Sequence, residues 1–443
     1  MLTLRRDGTC LKLTSWAVYE FDNGEFDVKL ARSYFPALKS CIETHPQMMM
    51  VMKGKDTNEP FWEVVPHLNL GDHVSILAEQ AVDNTGESAA IEKVLPSIVD
   101  QKFTDPSSPP WKLFVLPFAF ASKPRCFIAY VTSHSVADGR SGYIFHQTFL
   151  DALQKSAGVQ LDDTVIKASQ APLPEPFDTP ERLPISPEFM KSLANANVVD
   201  GNTWTGSSIF LGPAGLQTGL RIIEIGNDQV KAALHAARTH GTKLTGLFHQ
   251  LVVRALSRAI PSENGTNFAS QIAIDMRAAN GSPSAWGNFV SGVSHSNLRT
   301  DSTKPISDET WADAKVISDK LAECSSRLED QMIGMIRFVP DHRASMTQKL
   351  GASRDASFAL SNVNAFSGNT EGGACKICKL LMTTSAAVPS ATLSICIASV
   401  KNGNLTCVIT WQKGALGCPS EKEAALLDDI CYSIKHDFES LAA

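Results

Sequence analysis

The residues with the clearest chemical potential are His134 and Asp138, in the order His134-x-x-x-Asp138-Gly139. They follow Phe127–Thr132, an apolar run of strand length, and precede a helical pattern with Ile144, Phe145, Thr148, Phe149 and Ala152 on one side. A histidine leaving a strand end can project into a cleft. Its imidazole, with an ordinary pKa near 6.5, can accept a proton at neutral pH. An aspartate four residues on can fix the loop or pair with a distant cation. By spacing alone, the same residues can equally form a polar turn between strand and helix.

Other chemistries lack their motifs. No Gly-x-Ser-x-Gly elbow offers a serine nucleophile, and no cysteine stands in a recognisable catalytic context. Neither a phosphate-cradling Gly-rich loop nor a dinucleotide fingerprint is present. A histidine base without a protein nucleophile suits direct transfer: it deprotonates a bound hydroxyl or amine, which attacks an activated acyl group. The ten cysteines are scattered, and Cys375-Lys-Ile-Cys378 is a lone pair without a second half, so neither a disulfide framework nor a metal site is expected.

The elements that must position these residues fall into two halves. Residues 1–160 form an N-terminal lobe carrying the histidine motif, and 201–443 a C-terminal lobe. Between them, 161–200 is rich in proline (Pro172, Pro174, Pro176, Pro180, Pro184, Pro187) and reads as a crossover without helix or central strand. In the first half, helices are expected over Pro36–Glu43 and Ser88–Leu95, and strands over Met48–Met52, Trp111–Pro117 and Phe127–Thr132. The second half should hold strands at Gly219–Ile225 and Gln271–Met276. Its helices are expected from Asp228 to His240, from Thr242 or Thr245 onward, over Asp308–Leu328, and over Asp330–Leu350 with a break near Pro340. Lys376–Thr384, Ala391–Val400 and Leu405–Trp411 read as strands, the last two joined through an Asn402-Gly403 turn. Glu421–Glu439 reads as a closing helix.

Composition sets the outer limits. The 443 residues are 43% hydrophobic and 19% charged, which is globular. Forty basic against 46 acidic residues give a net charge of −6, and no basic stripe favours nucleic acid. No run reaches the roughly 18 apolar residues of a membrane span. The first residues carry Arg5 and Arg6 but no apolar core of leader length, so a soluble cytoplasmic protein is expected.

With its landmarks in order, the sequence resembles the HxxxD acyltransferase superfamily, which includes plant BAHD enzymes, chloramphenicol acetyltransferase and peptide-synthetase condensation domains. Within it, the fungal alcohol O-acetyltransferase-like branch is the nearest in look. The landmarks are Thr44-His45-Pro46, Pro110-Trp111, Ser133–Gly142, the Asp275-Met-Arg277 strand end, Trp286-Gly287-Asn288-Phe289, Phe358-Ala-Leu-Ser361-Asn362, and the Leu393–Trp411 hairpin with its final helix. The resemblance implies a mixed α/β fold of two chloramphenicol-acetyltransferase-like lobes with an active-site tunnel at their interface. It also implies an acyltransferase, using acyl-CoA as co-substrate and no bound cofactor, that acts as a monomer on a hydroxyl or amine of a small molecule.

Residue by residue, His134 matches the general base. Asp138 matches the structural carboxylate, with Arg277 as its candidate ion-pair partner. Gly139 would let the backbone approach the acyl carrier. Ser361 and Asn362 match a tunnel-lining segment that could donate to an oxyanion. Ser133 replaces the second histidine that many members carry, and the DFGWG motif of plant enzymes is absent. A carrier-protein-dependent condensing enzyme, and a non-catalytic binding module on the same fold, are the alternatives.

Overall fold

The computed structural model describes residues 11–441 except 23–25, 56, 58, 83–85, 120–122, 156–160, 162, 170–172, 195–197, 213, 214, 370 and 371. Cys10, Arg5, Arg6, Pro172 and part of the expected crossover lie outside the described residues.

Two six-stranded sheets carry the chain. The first runs Cys375–Thr384, Lys12–Phe21, Arg125–Ser133, Trp111–Ala119, Val74–Ile76, with Gln80–Ala81 also on Trp111–Ala119. Its central strands are buried on both faces, which is why Leu113–Leu116 and Phe127–Val131 read as unbroken apolar runs. Leu113, Val115, Ile128 and Tyr130 pack with the helices Phe35–Thr44 and Gly139–Lys155. Phe114, Leu116, Phe127 and Val131 pack with Ile91 and Leu95 of the helix Glu87–Val99. The alternation is the two-residue period of a strand read off its burial partners.

The second sheet runs Thr218–Ile225, Leu405–Gln412, Ala391–Val400, Ala356–Phe366, Asn267–Asp275, Val290–Leu298. Its core is closed by the helices Asn227–Thr239, Leu244–Ala259, Asp308–Ser325 and Glu423–Ser440. Ser307 caps the third of these, its hydroxyl accepting from Thr310 N. Gly241 follows the first in the left-handed region, with φ 67°. Asn402 takes φ 61° in the turn that joins Ala391–Val400 to Leu405–Gln412.

The lobes are stitched together rather than merely abutted. Cys375–Thr384, from the C-terminal half, completes the first sheet by pairing antiparallel with Lys12–Phe21, so one strand crosses the division drawn in sequence at 201–443. Helix Glu87–Val99 lies along the edge of the second sheet. There Glu92 Oε2 accepts from Ile222 N at 3.0 Å, and Asp100 accepts from Thr218 N at 2.7 Å. These carboxylates occupy edge N–H groups that would otherwise template foreign strands.

Several expectations need correction. The 161–200 crossover holds a short helix, Pro187–Ala194, with proline at its first position, and a short strand, Val165–Lys167, paired with His67–Asn69. Asp330–Leu350 is not one broken helix. It is a 3₁₀ segment, Met332–Phe338, followed by the short helix His342–Gln348. The strands Lys12–Phe21 and Val290–Leu298 were not legible at all. Among the described residues, no helix is long and apolar enough to cross a membrane.

Buried imidazoles give the fold a pH limit. Burial pulls His45, His73 and His146 down to about 4, and burial with neighbouring His295 pulls His249 down to about 3. In the unfolded chain the same rings bind a proton near 6.5. Between pH 6.5 and 4 the unfolded state therefore holds more protons, and stability falls as pH falls. Each ring contributes on the order of 3 kcal/mol to that loss once it must charge. Melting temperature should drop steeply from pH 6.5 to 4 in a scan by calorimetry or fluorescence. A flat profile across that window would contradict the neutral, buried assignment.

Candidate active site

The strand Arg125–Ser133 ends one residue before His134, and the helix Gly139–Lys155 begins directly after Asp138. The turn between them is pinned by main-chain bonds. Ser133 N donates to Pro110 O (2.9 Å), His134 N to Leu11 O (2.8 Å) and Val136 N to Ser133 O (3.0 Å). Asp138 caps the helix: its Oδ1 accepts from Ser141 N at 2.9 Å and from Ser141 Oγ at 3.1 Å. A carboxylate at this position meets both the orphan N–H groups and the positive end of the helix dipole.

Asp138 points away from His134 into a buried ionic knot. Arg277 reaches it from the end of Asn267–Asp275, with Nη1 on Oδ2 at 2.9 Å and Nη2 on Oδ1 at 2.8 Å. The two are 2% and 1% exposed, so neither charge could stand without the other. Phe289 N adds a third donor, at 2.8 Å to Oδ2. Arg277 also donates to Asp275, Ala285 O, Ser141 Oγ and Gly287 O, and its guanidinium lies over the Phe289 ring. Burial works against its charge, but Asp138 and Asp275 more than compensate and hold its pKa above the ordinary value.

The loop from Met276 to Phe289 thus grips the histidine turn from the second lobe. Gly287, at φ 146°, adopts a conformation that L side chains rarely take. Its carbonyl accepts from Asp138 N and Ser141 Oγ, and its N donates to Ser141 Oγ. Trp286 enters the N-terminal core, stacked on His45, while its carbonyl accepts from Gln47 Nε2 at 3.1 Å. Asn288 Nδ2 donates to the His134 carbonyl at 2.6 Å.

His134 itself stays partly exposed, while its ring Nδ1 is covered and has no hydrogen-bond partner among the described residues. Burial pushes the imidazole below its ordinary 6.5. The ring's contact with its own backbone carbonyl and the charge of Asp138 act in the opposite sense. The imidazole is therefore neutral at neutral pH, as a proton acceptor must be.

Ser361 and Asn362 lie on Ala356–Phe366 where that strand parts from its neighbour: pairing with Asn267–Asp275 ends at Leu360. Successive side chains face opposite ways. Asn362 Nδ2 donates to Thr245 Oγ1 at 2.9 Å, toward the helix of its own lobe. Ser361 shares the strand face of Val363, whose Cγ1 lies 3.0 Å from where a Gly139 Cβ would sit. The structure thus brings Ser361 toward the first lobe and engages the Asn362 amide elsewhere. The space beside Gly139 is filled by Val363 and by Met382 Sδ, 2.3 Å from the same Cβ position. Here the glycine admits two strands of protein against the helix start.

Ser141, Asn288 and the Phe289 main chain were missed as site residues. The signal available was Ser141 three residues after Asp138, the capping spacing. Backbone donors such as Phe289 N leave no residue-type signature.

Comparison with known proteins agrees with this architecture. The chain is 23% identical over 412 residues to a probable alcohol acetyltransferase, crmB, of Aspergillus fumigatus, covering 86% of each chain. Its fold is similar to that of TRI3 trichothecene 15-O-acetyltransferase from Fusarium sporotrichioides, with a TM-score of 0.70 at 12% identity over 99% of this chain and 92% of that one. It is also similar to the first condensation domain of the CDA synthetase, with a TM-score of 0.63 at 10% identity over 97% and 92%. The family model for alcohol acetyltransferase matches residues 31–431, nearly the whole chain, and the protein is an acyltransferase belonging to that family.

Proposed function

We propose that the protein moves an acyl group, acetyl or another, from acyl-CoA directly to a hydroxyl or amine of a small molecule, with His134 as general base. The observation that carries this reading is a partly exposed histidine whose main chain is fixed between the lobes, its N bonded to Leu11 O and its carbonyl to Asn288 Nδ2. Donor and acceptor approach through a tunnel along that seam. His134 Nε2 takes the proton from the acceptor as its oxygen or nitrogen attacks the thioester carbonyl. The tetrahedral oxyanion is stabilised by a donor from the second lobe. Ser361 suits this better than Asn362, because its hydroxyl has no bond among the described residues and its strand face turns toward the histidine lobe. Collapse of the intermediate expels the thiolate, which recovers the proton from His134. Asp138 and Arg277 take no part in proton transfer and hold the turn in register. The enzyme needs no resident cofactor and no metal for this cycle.

The test is a panel of acyl-CoA donors against pooled alcohols and amines, read by free-thiol release and product mass. Acceptor-dependent release with at least one CoA thioester is the expected result. Transfer confined to thioesters on carrier proteins would move the donor assignment, and tight binding without turnover on any thioester would end the catalytic reading.

A further inference from the structure

We propose that Asn288 is a positioning residue for His134. Its amide, by donating to the His134 carbonyl, holds the main chain of the turn so that the imidazole stays aimed at the reacting groups. The inference rests on the general-base reading above and assigns the group that makes that base ready.

The loop that grips the histidine turn does so at two ends, and the ends are unequal. At Asp138 it supplies both Arg277 nitrogens and Phe289 N, with Ser141 N adding another donor. At His134 its contribution is the Asn288 bond, at 2.6 Å. Gly287, in its unusual conformation, sets Asn288 over one end of the turn while the next residue, Phe289, bonds the other.

The amide orientation is fixed, because a carbonyl only accepts and Nδ2 must face it. The His134 ring Nδ1 is buried with no hydrogen-bond partner among the described residues, so no bond of the ring itself fixes its direction, and the main chain that carries it is what the Asn288 amide holds.

Packing alone does not explain an asparagine here. Its Oδ1 is buried without a partner among the described residues, and an unmet buried acceptor costs about 1–3 kcal/mol. An apolar side chain would avoid that cost, but only a donor can hold the carbonyl.

The experiment compares Asn288→Asp and Asn288→Ala with wild type and with His134→Ala. Asn288→Asp keeps the shape and replaces the donor with an acceptor. Charged groups on the elements packed around the turn are Asp138 and Asp275, both paired with Arg277, Arg140 on the following helix, and Lys12 on the strand paired with Ser133. The substitution leaves all of them in place. Both Asn288 variants should lose about 10–100-fold in kcat, the scale of a misplaced catalytic group, with KM for donor and acceptor near wild type. The acid limb of kcat/KM should move to higher pH in both, and further in Asn288→Asp. Removing the donor lets the imidazole charge more readily, and a carboxylate beside it favours the charged form. Wild-type kcat with an unmoved limb in either variant overturns the proposal. A kcat loss that tracks a lower melting temperature, with the limb unmoved, also overturns it, because that is the mark of a merely structural residue. If His134→Ala keeps turnover, the base reading fails and this one with it. An inactive His134→Ala beside wild-type-like Asn288 variants removes this proposal alone.

Discussion

Replacing His134 with alanine should abolish thiol release while leaving the fold intact. General-base catalysis supplies roughly 10²–10⁴ in rate, so turnover should fall by at least that factor. The fold should survive because the bonds that shape the turn belong to the main chain. His134 N donates to Leu11 O and His134 O accepts from Asn288, and alanine keeps both. The ring Nδ1 has no hydrogen-bond partner among the described residues, so removing the imidazole breaks no bond of that atom. Circular dichroism and melting temperature should match wild type. In the wild-type enzyme, kcat/KM should fall as pH drops through the His134 pKa, because only the neutral ring accepts a proton. Burial places that acid limb below 6.5. A His134→Ala protein with most of its turnover, or a wild-type limb above 6.5, would remove the mechanism.

What the sequence disclosed about this site follows a physical line. The histidine turn was legible because its determinants are local: an apolar strand, a capping carboxylate and a glycine at the start of an amphipathic helix. Arg277 lies 139 residues away from Asp138, and sequence offered only a cation at the end of a strand. Asn288, Gly287 and Phe289 could be marked as a segment but not given duties, because they act through main-chain atoms and an unusual φ.

The fold divides the same way. Strands with long apolar runs, such as Ala391–Val400, were readable. Lys12–Phe21 was not, although it is an interior strand of the first sheet, because Lys12, Thr14 and Ser15 are polar and buried. Val290–Leu298 is an edge strand rich in Ser, His and Asn, with a glycine and weak alternation. Met332–Phe338 carries a helix-like apolar density. Gly334, however, is packed against Ile185 and Leu183, and Pro340 follows, so only a 3₁₀ segment forms. That Cys375–Thr384 joins the opposite lobe is a long-range choice that no local pattern encodes.

Asp138→Asn should be the most destabilising single-atom change at the site. The carboxylate now accepts from four N–H donors, two Arg277 nitrogens, Phe289 N and Ser141 N, with the Ser141 hydroxyl shared between it and the Gly287 carbonyl. An asparagine offers one acceptor oxygen, and in either orientation its NH₂ meets one Arg277 nitrogen together with Phe289 N or Ser141 N, donor against donor. Arg277 would keep only Asp275, half-exposed, as its counter-charge. Breaking one side of a buried pair costs about 3–5 kcal/mol. Chemical denaturation should register a loss of that size, and kcat should fall with it as the turn loses its register. The ratio of kcat/KM between two acceptors should not change, because Asp138 is buried against Arg277 and offers no surface to a substrate. A double-mutant cycle separates the parts. Arg277→Gln alone leaves Asp138 as an unpaired buried charge, whereas Asp138→Asn with Arg277→Gln removes both charges and should recover part of the stability. Activity should not recover with it, since an amide pair cannot reproduce the two-pronged hold that fixes the turn. A double variant that regained both would show that charge balance, rather than geometry, is what this ion pair contributes to turnover.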